Sequence, residues 1–397
     1  MAAKPTTPLI YRRVGFDPHP DLTEIREDGG VRRIDSPALG TSVWVVTRIE
    51  DVRVVYSDSR RFGISAHHLV PGAPALTDEE LAAVRPGNML AFDPPEHTRL
   101  RRTLAPEFTA RRMRRLEPRV HDIVRDHLDA IERKGPPADL VADFALPVPA
   151  LVICELLGVP FEDRDTFQDR YTRFFDAALS FEERLALQYE TKAYLADLVA
   201  RARVEPGDDL LGMLARDEAA ALDDREMVGI ADLLLLAGHE TTANMLGLGV
   251  LALLRHPDQL RLLRDEPERA DAAVEELLRW LTVVHTGVPR ITTAEVELGG
   301  HTLGPGELIL CSLPTANRDP DLVPDPDGLD ITRDAGGHVA FGHGVHHCLG
   351  APLARIEMRI AFPALARRFP GLRLVGPEPD YRSQRIVYGL GALPVTW

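Results

Sequence analysis

The residue types with the most specialised chemistry lie together in Phe341-Gly342-His343-Gly344-Val345-His346-His347-Cys348-Leu349-Gly350. Two glycines at alternate positions permit a sharp backbone turn. Ala351-Pro352-Leu353-Ala354-Arg355 then opens a helix, with Pro352 tolerated in its first turn. Cys348 therefore lies at a helix N-terminus, where free amides and the positive dipole end favour thiolate over thiol. A thiolate is what a metal needs. The other two cysteines read as small buried hydrophobes: Cys154 follows Leu151-Val152-Ile153, and Cys311 sits on an apolar strand. Zinc held by His343, His346, His347 and Cys348 is an alternative by ligand type. Adjacent His347 and Cys348 would crowd one ion, however, and no second ligand pair at zinc spacing follows elsewhere.

Three further groupings suit chemistry around such a centre. Ala237-Gly238-His239-Glu240-Thr241-Thr242 lies near the middle of a long apolar helix. A mid-helix Thr can bond back to a carbonyl one turn earlier, and a buried Glu beside it is expensive unless it is used. A solvated polar kink is the plainer reading. His97 and Arg101 sit four apart on one helix face, which alone describes any basic surface. Glu276 and Arg279 sit three apart on a helix, a spacing that usually means an exposed ion pair of little worth.

The cysteine loop resembles the heme-binding signature of the cytochromes P-450: Phe, Gly, any, Gly, any, His, any, Cys, any, Gly. Every fixed position is matched, by Phe341, Gly342, Gly344, His346, Cys348 and Gly350. The resemblance extends along nearly the whole chain. It implies heme b with Cys348 as the axial thiolate to iron, and His97, Arg101, Arg290 and His346 as partners of the heme propionates. It makes Glu240 the acid and Thr241 the alcohol of a pair that delivers protons to dioxygen. Glu276 and Arg279 become a structural element that anchors the loop, with Asn317-Arg318-Asp319-Pro320 as the partner segment. The implied fold is mainly α: one triangular helical body with a long central helix over the heme and small β-sheets. The implied activity is a bacterial monooxygenase that hydroxylates or epoxidises a small apolar organic substrate, as in tailoring steps of secondary metabolism. A peroxide-driven catalyst, or a heme sensor or carrier, is the alternative, and the Glu240–Thr241 pair argues against both.

Candidate pocket residues are Leu235, Leu236, Ala237, Val283, Val284, His285, Val288 and Val387, with the stretches 66–90 and 161–181. His285 is the one polar outlier and is expected to touch a substrate oxygen. No flavin or iron–sulfur motif is present, so electrons must come from outside, ultimately from NAD(P)H. Between Arg99 and Arg119 there are eight arginines and two acids. A small acidic ferredoxin, itself served by a ferredoxin reductase, would be steered to such a patch.

The elements that must position these residues are readable in outline. Val31–Ile34 and Ser42–Thr47 suggest paired strands in a β-richer first part, about 1–60. Asp93-Pro94-Pro95-Glu96 suggests a helix start, with Asp93 as N-cap and Glu96 completing a capping box. A helical body then runs over about 93–290. The longest helix spans Asp224 to Arg255, about 48 Å, with Asp223 and Glu226 as its capping box and His256-Pro257 as its stop. Val296–Leu298 and His301–Leu303 flank Gly299-Gly300 as a tight hairpin. Leu308–Ser312 is another strand, and a helix follows Cys348 to Phe369. Arg385–Tyr388 and Leu393–Thr396 suggest a final hairpin.

With 397 residues, 45% of them hydrophobic, the chain can bury a large core. No linker or repeat divides it, so residues 1–397 read as one domain. A net charge of −15 makes nucleic acid an improbable partner. The N-terminal residues form no apolar signal segment. The apolar run from Met227 to Leu254 is broken by Asp232, His239, Glu240 and Asn244, unlike a membrane span. Three sparse cysteines suit a reducing compartment. The expectation is a cytoplasmic monomer.

Overall fold

The computed structural model describes residues 7–37, 39–65, 67, 76–164, 166, 181–382 and 386–397. Parts of the expected pocket stretches 66–90 and 161–181, and Arg385, lie outside them.

The long helix runs Asp224–Arg255. Its start is closed as the sequence predicts: Asp223 accepts the Glu226 amide at 2.8 Å, and the Glu226 carboxylate accepts the Asp223 amide at 3.2 Å. Its buried residues include Met227, Ile230, Leu234, Leu246 and Leu251, which point around the whole circumference, as in a helix that crosses a core. It packs against the helices Pro147–Leu157, Phe181–Val204 and Ala351–Arg368. Gly249 makes one of these contacts close: a Cβ there would lie 2.5 Å from the Phe362 ring. The main apolar cluster draws on residues from Phe16 to Val395. Among the described residues, no helix is long and apolar enough to cross a membrane.

A five-stranded sheet lies beside the helices, in the order Val31–Ser36, Thr41–Val46, Leu308–Cys311, Arg290–Thr292, Phe62–Ile64. Only Thr41–Val46 against Leu308–Cys311 is parallel. Arg290 sits at a fixed register, opposite Ile309 on one side and Ile64 on the other. The sheet thus sets where its side chain starts. The Val296–Leu298 and His301–Leu303 hairpin forms through Gly299 and Gly300, both at positive φ (54° and 77°), as a tight two-residue turn requires.

Two expectations are corrected. Asp93 does not cap the Glu96–Leu104 helix, which has no side-chain cap. Its Oδ2 accepts the Ile64 amide at 2.8 Å instead, because that amide at the sheet edge competes for the carboxylate. The chain end is not one hairpin. Gly389–Leu390 pairs with Tyr381–Arg382, whereas Pro394–Thr396 pairs with Arg373–Leu374 and Ala138–Asp139. Val387 makes a lone bridge to Val284.

Candidate heme-thiolate site

The cysteine loop is a set of nested turns. Gly342 and Gly344 have φ of 72° and 68°, values that side-chain-bearing residues rarely take. The Gly342 amide donates to Val339 O at 2.8 Å, and the Cys348 amide to Phe341 O at 2.9 Å. Gly344 is required for space as well, since a Cβ there would lie 2.2 Å from the Tyr56 carbonyl oxygen. The helix Ala351–Arg368 begins three residues after Cys348. Cys348 is accessible, yet protein crowds around it. That burial raises its thiol, while the Gly350 and Ala351 amides and the charges of Arg101 and Arg355 pull it back toward thiolate. Cys154 and Cys311 are buried, and burial pushes both thiols up to about 12. They are inert, as their apolar flanks predict.

Beneath the loop, Glu276 and Arg279 are fully buried. Arg279 also donates to the carbonyls of Asn317 and Pro326 at 2.9 and 2.8 Å. Glu276 Oε1 accepts the Asp330 amide at 3.0 Å. Asn317 Oδ1 in turn accepts the Val339 amide at 2.7 Å, two residues before Phe341. A continuous polar chain therefore runs from the ion pair to the start of the cysteine loop. Next to it, Glu275 receives Arg355 and His338. Burial alone would raise its carboxyl, but those two partners outweigh burial and hold it at about 2.

A second group of polar side chains converges near the loop without partners. His97 and His346 lie against each other with ring centroids 4.1 Å apart and planes tilted by 49°. Both ring nitrogens of each, and Arg290 Nη1, are buried with no hydrogen bond among the described residues. Burial, with the charges of Arg101 and Arg290, depresses His97 to about 4. Burial, Arg290, His97 and Arg101 depress His346 to about 2. Buried polar groups left unpaired are rare and costly. Here the two neutral imidazole rings and the Arg290 guanidinium form one donor-rich cluster whose charge comes from arginine.

The third component is the middle of the long helix. Leu236 (44% exposed) and Ala237 are accessible, although the helix crosses the core. Thr241, half-buried, donates its hydroxyl to Ala237 O at 2.7 Å, the back-bond expected of a mid-helix Thr. His239 Nε2 meets Leu146 O at 2.9 Å and fixes the helix to the segment before Pro147. Glu240 lines a small cavity together with Asn244, Arg382 and Leu390. Asn244 donates to the Glu240 carbonyl at 2.8 Å.

Sequence comparison decides the family. The cytochrome P450 profile matches residues 207–388. Cytochrome P450 FAS1 of Rhodococcoides fascians is 47% identical, with all of both chains covered. Pentalenic acid synthase of Streptomyces avermitilis is 43% identical over 97% of this chain and 96% of its own. The solved structure of P450 StaH, from glycopeptide antibiotic biosynthesis, superposes with a TM-score of 0.89. It is 45% identical and covers 98% of this chain and 100% of its own. The chain belongs to the cytochrome P450 family.

As a P450 it is a heme-thiolate monooxygenase, an oxidoreductase that uses heme b and dioxygen. The residues present fit that group. Heme carries two carboxylates; Arg290 supplies complementary charge, and the neutral rings of His97 and His346 supply hydrogen-bond donors. Cys348 alone among the cysteines is accessible. The zinc alternative finds no support: no set of three or more His, Cys, Asp or Glu side chains among the described residues could hold a metal ion.

The expected pocket residues divide. Leu236, Ala237, Val284 and Val288 are at least partly accessible, whereas Val283 and Val387 are buried in the main apolar cluster. Leu235 is fully buried in the apolar core, since its position on the helix turns it away from Ala237 and Thr241. His285 is corrected too. It is fully buried, edge-on to Tyr11 and Tyr388 at 5.5 and 5.7 Å. Burial and the Arg13 charge hold it neutral. Both of its ring nitrogens are buried with no hydrogen bond among the described residues. Two residues went unnoticed in the sequence. Tyr56 touches several parts of the site. Glu357 is buried on the cysteine-loop helix, and Oε2 has no partner. Burial raises its carboxyl well above the ordinary range.

Proposed function

We propose that this P450 oxygenates a bulky apolar natural-product scaffold, with residues 1–397 acting as one catalytic domain. The observation that carries the site assignment is the convergence of the His97 and His346 ring nitrogens and Arg290 Nη1, none hydrogen-bonded among the described residues, near the accessible Cys348. Cys348 would hold the heme iron, Arg101, His97, Arg290 and His346 would hold the propionates, and Phe341, Gly342 and Gly350 would shape the loop around the sulfur. Bound heme would supply the oxygen activation, with Cys348 as its sulfur donor.

The chain's own residues govern charge, protons and water. Amides of Gly350 and Ala351 and the nearby Arg101 and Arg355 pull the Cys348 sulfur toward thiolate, against the burial that raises its thiol. Thr241 Oγ1 donates to Ala237 O, which leaves its lone pairs to accept from, and so hold, a proton donor in the pocket. Glu240 moves protons from the cavity it shares with Arg382 and Asn244 toward Thr241, a general-acid role. Leu236, Ala237, Val284 and Val288 form an apolar wall that orients the substrate and excludes water. The natural-product class rests on relatives such as pentalenic acid synthase and P450 StaH.

Electrons come from a ferredoxin and its reductase. Of the eight arginines between 99 and 119, Arg99, Arg112 and Arg119 pair with Glu96 and Glu226, Glu107, and Glu155. Arg102, Arg111, Arg114 and Arg115 are exposed and make no ion pair among the described residues. These four offer a basic docking face in an otherwise acidic protein. The protein works as a monomer in the cytoplasm.

Dioxygen consumption with a reduced ferredoxin and a panel of polycyclic and peptidic natural products tests the reading. Coupled uptake and an oxygenated product support it. Uptake that no substrate in the panel couples to product counts against this substrate class. The charge reversal R111E/R114E/R115E should raise the KM for ferredoxin about tenfold or more at low salt.

A further inference from the structure

Tyr56 closes the helix Ile49–Ser57 and is almost fully buried. Nothing in its local sequence marks it as functional, yet it meets the site at three separate places. Its hydroxyl accepts the Gly287 amide at 3.1 Å. Gly287 lies in the pocket-lining run between Val284 and Val288, and a Cβ on it would stand 2.8 Å from that same hydroxyl. The Arg290 guanidinium lies over the Tyr56 ring, 5.1 Å from its centroid. The Tyr56 carbonyl sits against Gly344, so closely that only glycine fits there.

These contacts answer a physical problem. Arg290 is 3% exposed, and its Nη1 has no hydrogen-bond partner. A desolvated guanidinium needs compensation, and an aromatic face supplies it most effectively away from water. The Gly287 amide is a part-buried donor whose side-chain acceptor is this phenol. Burial pushes the Tyr56 phenol up, so the hydroxyl keeps its proton.

We propose that Tyr56 is a positioning residue for the oxygenation. Its ring holds Arg290 in place to receive a propionate, and its hydroxyl sets the pocket wall at Gly287. Heme seating and pocket shape are thus fixed by two different atoms groups of one side chain. The inference rests on the assignment of Arg290 to a propionate.

Two variants of the holoenzyme separate the functions. Tyr56→Phe keeps the ring and loses the acceptor. Tyr56→Leu loses both. Two readouts apply besides activity: the rate of hemin transfer to an excess of a high-affinity acceptor protein, and the Kd for 4-phenylimidazole by optical titration. Tyr56→Phe should release hemin within about twofold of the parent rate and bind 4-phenylimidazole roughly fivefold more weakly. Tyr56→Leu should release hemin roughly tenfold faster. Parent-like hemin release from Tyr56→Leu, or parent-like phenylimidazole affinity in Tyr56→Phe, overturns the proposal. Should Tyr56→Leu fail to fold, Tyr56→Phe decides alone, with faster Gly287 amide hydrogen exchange as its second expected sign. Arg290→Gln distinguishes the levels. If it too retains hemin as the parent does, the propionate assignment has failed. If it loses hemin while Tyr56→Leu does not, only the role of Tyr56 has.

Discussion

Glu276 and Arg279 form a two-point ion pair, Nε to Oε2 at 2.7 Å and Nη2 to Oε1 at 2.8 Å, where neither side chain reaches solvent. Removing one member leaves a buried charge without its partner, which costs about 3–5 kcal/mol. Glu276→Leu should therefore lower the unfolding free energy by that amount in urea titrations. Because Asn317 links the pair to Val339, heme content should fall with it. Full stability with full heme content would show that the pair does not anchor the loop.

Thr241→Ala should preserve heme binding and oxygen uptake while product per dioxygen falls steeply, with hydrogen peroxide accounting for the difference. Glu240→Gln should slow turnover about 100-fold without that loss of coupling. Simultaneous measurement of oxygen, peroxide and product checks both. Parent-like coupling in Thr241→Ala would remove the hydroxyl from the proposed role.

His97→Leu deletes one of the partnerless donors. A hydrogen bond to a charged group contributes about 1.5–3 kcal/mol, so hemin transfer to an acceptor should accelerate by about tenfold or more. An unchanged rate would mean that His97 does not meet a propionate.

Glu357 yields a pH prediction. Its folded-state pKa is raised, so its contribution to stability is fully present below the unfolded-state value, about 4.3. Above that pH the unfolded chain loses its proton and the folded chain keeps it. Stability then declines by up to about 1.4 kcal/mol per pH unit until the folded pKa is reached. Glu357→Gln lacks this proton, so urea midpoints should show the variant gaining on the parent as pH rises from 5 to 8. Parallel curves would contradict a neutral buried carboxyl.

The sequence made some of these features legible and hid others for physical reasons. The cysteine loop is local: its glycines, its thiol and the helix after it are all set by neighbours in the chain. The Asp224–Arg255 helix announces itself through Asp223, Glu226 and Pro257. Spacing placed Glu276 and Arg279 on one face, but their burial depends on a loop some forty residues away. Asp93 carries a helix-cap signature, and only the sheet edge at Ile64 shows why it is used otherwise. Around His285 the chain is neither helix nor strand, so no periodicity reports which way the ring points. Tyr56 acts through Gly287, Arg290 and Gly344, contacts that only the folded chain brings together.

The optical spectrum of the reduced protein under carbon monoxide tests the central claim most directly. A Soret band displaced far to the red, present in the parent and lost in Cys348→Ala, is the expected result, because only a thiolate trans to the ligand produces it. A heme spectrum without that displacement, or one that survives loss of Cys348, would contradict the assignment of the axial ligand.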